Sequence, residues 1–221
     1  AKQGKRVLLV KLDDQGRTQQ LFETDHELGD QITPLDAEGR ISGINLDPKT
    51  VVADYFRRQL KIRRIAEHIV NSRLFEAWFR VSPAIKEMIL LGKVWSLVEE
   101  RTRWTKKQVR DLVVFDAPAT GHGLGYLRLP EQASKLLIGP MRTNALAVGS
   151  MLANTKTTGV LVVTIPEEMP VNEAIHFVDE ARGGINVHLS GLVLNAAFPQ
   201  RFAPAQLEQV EVLAGSAPGQ A

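Results

Sequence analysis

The amino-acid sequence predicts an α/β fold: a mostly parallel sheet flanked by helices, with a helical insertion on one side. Three observations predict it. Short runs rich in Val, Ile and Leu recur along the chain, most of them continuous apolar stretches of the kind found where helices cover both faces of a parallel sheet. Between these runs, apolar residues repeat every three to four positions, the period of an amphipathic helix. Residues 49–107 carry no strand signal and interrupt the alternation of strand and helix.

In chain order, residues 1–5 read as a basic helix end with Gly4 as its C-cap and no helix before it. The first strand is Val7–Leu12 and the second Ile41–Leu46. Over 50–70, Val52, Tyr55, Phe56, Leu60, Ile65, Ile69 and Val70 fall at helical spacing. Over 83–102, Ile85, Met88, Ile89, Val94, Trp95 and Val98 do the same, with Pro83 suited to a first turn. The remaining strands are 112–115, 160–165 and Leu189–Leu194. A helix over 170–182, stopped by Gly183-Gly184, separates the last two. The tail 215–221 is small and polar and is expected to be disordered. One α/β domain over 1–214, with a helical lobe at about 49–107, is the expected organisation.

Composition narrows the class. The 221 residues are 44% hydrophobic and 24% charged, which is ordinary globular usage and excludes disorder and collagen. There is no cysteine, so disulfide scaffolds, zinc ribbons and iron–sulfur ligation are excluded. Lys+Arg 27 against Asp+Glu 25 leaves a surplus of two charges, which is no nucleic-acid signature. Apolar runs stop well short of the roughly 20 residues of a membrane span. No charged-then-apolar leader opens the chain. The expectation is a cytoplasmic protein.

The most informative stretch begins at Asp111. An apolar strand delivers Asp116 at its carboxyl end, and a Pro/Gly-rich loop follows, where open α/β sheets place their ligands. An acid closing such a strand is how P-loop NTPases support Mg²⁺, and the glycines let backbone N–H groups approach a terminal phosphate. The other reading is that Asp116 caps the next turn. Asp13 and Asp14 lie just past the first strand, where one acid could orient water or support a metal, or both could belong to an Asp-rich turn. Asn195 closes the strand Leu189–Leu194, and its amide suits a base edge such as adenine, although Asn also starts loops.

Two motifs fail. Gly121-His-Gly123-Leu-Gly125 would need glycine at 126 to make a dinucleotide fingerprint, and that residue is Tyr126. The phosphate loop G-x-x-x-x-G-K-[ST] is missing, since Gly4-Lys5 precedes Arg6 and Gly92-Lys93 precedes Val94. His26, His68, His122, His176 and His188 show no metal-ligand spacing. The basic cluster Arg57, Arg58, Lys61, Arg63 and Arg64 reads as a solvated helix face. Met88, Leu90, Leu91, Trp95 and Leu97 could make a groove for an apolar ligand or partner helix, but ordinary core packing is the expectation.

Phe115-Asp-Ala-Pro-Ala-Thr-Gly-His122 resembles the D-[TA]-[AP]-[PA]-T-G-H signature of ArsA-type anion-transporting ATPases. These are deviant-Walker P-loop ATPases whose members drive arsenite pumps or target tail-anchored membrane proteins. The stretches 124–130, 164–174 and 192–195, and the helix 83–95, are similar to further parts of the family, so the likeness runs from Lys5 to about Phe202. It implies a P-loop NTPase-like fold and Mg²⁺-dependent ATP binding and hydrolysis coupled to movement of the helical lobe. It also implies a homodimer or a paralogue heterodimer, with a membrane-protein partner or cargo and no nucleic acid.

By the resemblance, Asp13 aligns with the acid that orients the attacking water and Asp116 with the acid near Mg²⁺. Pro118, Thr120, Gly121 and His122 align with the switch that senses the γ-phosphate, and Asn195 with the adenine-recognising Asn. Relatives have D-P-A where this chain has Asp13-Asp14-Gln15, which puts the Asp13 role in question. The metalloid-binding and zinc-bridging cysteines of some members have no counterpart. A helix of about 10–14 residues ending at Lys5 would put a phosphate loop just upstream of residue 1. The activity is then expected only with that loop present. The rival expectation is a pseudo-ATPase, a non-catalytic module that holds an apolar segment or a membrane partner.

Overall fold

Runs of Val, Leu and Ile form the strands, because branched side chains pack well on a pleated surface. A computed structural model describes residues 3–12, 14, 16–25, 27–59, 63–117, 122–198 and 206. The elements in chain order are β1 (Val7–Leu12), α1 (Arg17–Phe22), β2 (Thr33–Pro34), β3 (Ile41–Leu46), α2 (Pro48–Gln59), α3 (Arg63–Val70) and α4 (Arg73–Val81). They continue with α5 (Pro83–Val98), β4 (Leu112–Asp116), α6 (His122–Leu136), α7 (Gly139–Ala153), β5 (Val160–Thr164), α8 (Glu168–Gly184) and β6 (Leu189–Leu194).

The first sheet has the order β2-β3-β1-β4, and β1 runs parallel to both β3 and β4. The short β2 is antiparallel to β3. β5 and β6 pair in parallel as a second sheet. Gly43 permits a close approach in β3: a Cβ there would lie 2.8 Å from both Leu28 Cδ2 and Leu35 Cδ1, two buried side chains that cover the strand.

α5 turns buried apolar residues toward three clusters, so core lies on several of its sides. Leu90, Val94 and Leu97 pack on Leu8, Val10, Ile44 and Leu46 of the sheet. Met88 and Leu91 meet Tyr126 and Leu129 of α6 and Val148 of α7. Ile89 meets Val52 of α2, Val70 of α3 and Phe75 of α4. Of the two readings of Met88, Leu90, Leu91, Trp95 and Leu97, ordinary core packing is the one found, and they form no groove. Four of the five are fully buried, and Trp95 packs against the same interior. The helical stretch between β3 and β4 is present, and its last helix is a layer of the main core.

Two further differences from the sequence reading have local causes. The helical pattern over 50–70 is two helices, α2 and α3, with 60–62 outside the described residues. α6, which has Pro130 in its interior, and α7, whose apolar residues are spread around the helix, were not expected as helices, yet they pack on α5 and on each other. Helices do not cover both faces of every strand either. Leu112 and Val114 of β4, Leu161 and Val163 of β5, and Leu192 and Leu194 of β6 remain exposed.

At the amino ends of β1 and β4, Arg6 donates from its backbone N, Nε and Nη2 to the Asp111 carboxylate. These bonds, the side-chain ones foremost, lower the Asp111 pKa from 3.8 to about 2. A carboxyl whose folded pKa is depressed adds stability above its unfolded value and loses it as pH falls through the folded value. The advantage of the wild type over Asp111→Asn, followed by thermal unfolding, should therefore be present above pH 3.8 and fade toward pH 2. The pair is exposed, so added salt should shrink the difference. An advantage that grew on acidification would contradict this.

Candidate functional site

Residues in register on neighbouring parallel strands project to the same face. Lys11 of β1 is in register with Asn45 of β3 on one side and Asp116 of β4 on the other. The three form a row across the carboxyl ends of adjacent strands, where ligands of open α/β sheets bind. Lys11 Nζ lies 3.4 Å from Asp116 Oδ2 and 3.2 Å from Asp14 Oδ1. One ammonium group thus joins the end of β4 to the turn after β1.

That turn is built around Asp14. Its backbone N–H donates to Asn45 Oδ1 at 3.1 Å. Its Oδ1 accepts from the backbone N–H of Thr18 at 3.3 Å and from Thr18 Oγ1 at 3.1 Å, which secures the first turn of α1. Gly16 precedes that helix at φ 77°, a conformation that favours glycine. The Asp14 side chain is 0% exposed, and its Oδ2 is buried with no hydrogen-bond partner. Asp116 differs sharply, with its side chain 59% exposed.

Phe115 of β4 and Tyr126 of α6 hold these two elements together, with ring centroids 6.4 Å apart. Burial, and secondarily the charge of Glu87, pushes the Tyr126 hydroxyl up to about 12, so it stays neutral.

Of the residues singled out from sequence, Asp116 stands in this row. Asp13, Pro118, Thr120 and Gly121 lie outside the described residues. His122 opens α6, which follows the loop directly. Asn195 follows β6 on the second sheet and donates its backbone N–H to Thr164 O at 2.7 Å. Among the described residues no contact links it to Asp116. Sequence reasoning missed Lys11, Thr18 and Asn45. Lys11 did carry a signal, as the single charge inside an apolar strand.

Among the described residues no cluster of three or more His, Cys, Asp or Glu could hold a metal, and no helix is long and apolar enough to cross a membrane. Residues 1–148 match a family model described as anion-transporting ATPase. ATPase BagA of Mycobacterium tuberculosis is 23% identical over 209 residues, which cover 92% of this chain and 60% of the relative. The arsenical pump-driving ATPase of Escherichia coli is 24% identical over 216 residues, 90% of this chain and 36% of the relative. That of Acidiphilium multivorum is 24% identical over 217 residues, with the same two shares. The chain thus spans little more than half, or about a third, of the length of these curated relatives.

Proposed function

The chain belongs to the anion-transporting ATPase family, and from that premise we propose that it is part of an enzyme that binds and hydrolyses ATP with Mg²⁺. One observation carries the reading: an accessible Asp116 beside a buried, half-satisfied Asp14, at the carboxyl ends of adjacent parallel strands. Hard oxygen donors suit Mg²⁺, and the unpartnered Asp14 Oδ2 leaves negative charge in excess there. Asp116 would hold the ion, which when bound neutralises charge on the phosphate oxygens. Phosphoryl transfer asks for positioning and charge more than for covalent help, so acids, backbone amides and the ion are the groups it needs.

In this reading Asp13 orients the attacking water. Pro118, Thr120, Gly121 and His122 contact the terminal phosphate, and Asn195 recognises the adenine edge. α5 packs directly on β1, with Phe115 of β4 against the same core, so a shift at the strand ends would reach the helical layer. The partners in this reading are a second copy or a paralogue, together with a membrane-protein cargo. The backbone cradle and phosphate lysine would come from a segment preceding the chain. β4 and β5 each leave one edge unpaired among the described residues, where the backbone of a further strand could pair. These edges support that part of the reading.

The test is phosphate release by the full-length protein, phosphate loop included, with and without Mg²⁺. Turnover should need Mg²⁺. Asp116→Ala should lower it tenfold or more, about 1.4 kcal/mol in the barrier. Equal turnover in wild type and Asp116→Ala would remove Asp116 from the site. No saturable Mg-ATP binding at all would favour a non-catalytic module.

A further inference from the structure

A lysine is an unusual guest in the apolar run Val7–Leu12. Its side chain is only 17% exposed, on a strand that has a parallel neighbour on each side. Its two partners are unequal. Asp14 is fully buried and tied to Thr18, whereas Asp116 is mostly open to solvent and, among the described residues, pairs with Lys11 alone. One ammonium against two carboxylates leaves a net negative charge, part of it on the unpartnered Asp14 Oδ2. A cation is drawn to such a place, and at Asp116 it meets an oxygen that Lys11 already engages.

Resting on the reading of Asp116 as the acid that takes a divalent cation, we propose that Lys11 is a resident counter-cation, a positioning residue that ties Asp116 to the buried Asp14 until a divalent cation displaces its ammonium group from Asp116. Lysine suits the exchange, because its compact charge rides on a flexible stem with three rotatable donors. It can leave Asp116 and keep its hold on Asp14. Without it, two carboxylates would face each other at the strand ends and repel. Cation binding by this chain is then a competition between like charges, and its strength is set partly by Lys11.

Mn²⁺ is the probe, with the free ion followed by its paramagnetic resonance signal during titration into the protein and its variants. Lys11→Met should bind Mn²⁺ about tenfold more tightly than wild type, a gain of about 1.4 kcal/mol. Lys11→Arg, which keeps the charge, should bind as wild type does. If Lys11→Met leaves Asp14 too poorly compensated to fold, the double variant Lys11→Met/Asp14→Asn is compared with Asp14→Asn instead. The same tenfold gain is expected there, because the amide oxygen can still accept from Thr18.

A second readout is the coupling in unfolding free energy between Lys11→Met and Asp116→Asn. It should be favourable without Mn²⁺ and vanish at saturating Mn²⁺. Equal Mn²⁺ affinity with and without the Lys11 charge, or a coupling that survives saturation, overturns the proposal and leaves the ATPase reading standing. Failure of every variant to bind Mn²⁺ overturns both the proposal and the divalent-cation role of Asp116.

Discussion

Leu8→Ala is expected to destabilise the protein by about 3–4 kcal/mol, near the middle of the range for leucine truncation in a close-packed core. Leu8 is 0% exposed and sits in β1 under α5, among Val10, Ile44, Leu46, Leu90, Val94 and Leu97. The substitution removes the transfer free energy of the lost methyl groups and leaves a cavity. Strand and helix on either side are each held by several other contacts, so the cavity cannot close easily. Thermal unfolding should fall by roughly 6–15 °C in a protein of this size. The loss has a functional side too, because β1 is the strand that presents Lys11 between Asn45 and Asp116. A change below about 1 kcal/mol would mean that the β1–α5 layer repacks freely, against the behaviour of dense interiors.

Asp14→Ala should cost about 2–3 kcal/mol, by breaking a largely buried ion pair and stripping two hydrogen bonds from the start of α1. The cost is held below that of an isolated buried pair because Lys11 keeps Asp116 as a partner. Asp14→Asn retains an oxygen toward Thr18 and should cost less than half as much. Urea unfolding distinguishes the two, with the midpoint falling at unchanged slope. If alanine and asparagine cost the same, the hydrogen bonds to Thr18 contribute nothing and the turn is held by other means.

The strands β1 and β3 were legible to the residue, and β4 to within one, because branched apolar runs bounded by polar residues announce themselves locally. α8 was legible as an element, although its first turn begins two residues earlier than its periodicity suggested. α6 and α7 were not. Pro130 lies inside α6 and the apolar residues of α7 are spread around it, and only contact with α5 shows which side of each is interior. In the site, Asp116 was legible because it ends an apolar strand before a Gly-rich loop. Residue type and spacing alone did not separate Asp13 from Asp14, and only the family likeness singled out Asp13. The fold shows Asp14 turned inward onto Thr18 and Lys11.

The sequence by itself determined the α/β class, the order of the main strands, the strand-ending Asp116 and the likeness to an ATPase family. All of these are patterns of neighbouring residues, and periodicity and motif spacing are local. Only the tertiary structure decided that β3, β1 and β4 lie side by side, that α5 joins three core clusters, and that Lys11 stands between two acids. Asp116 and Lys11 are more than a hundred residues apart along the chain. No local signal encodes their meeting, which follows from burying Leu8, Val10 and Ile44 together beneath one apolar helix.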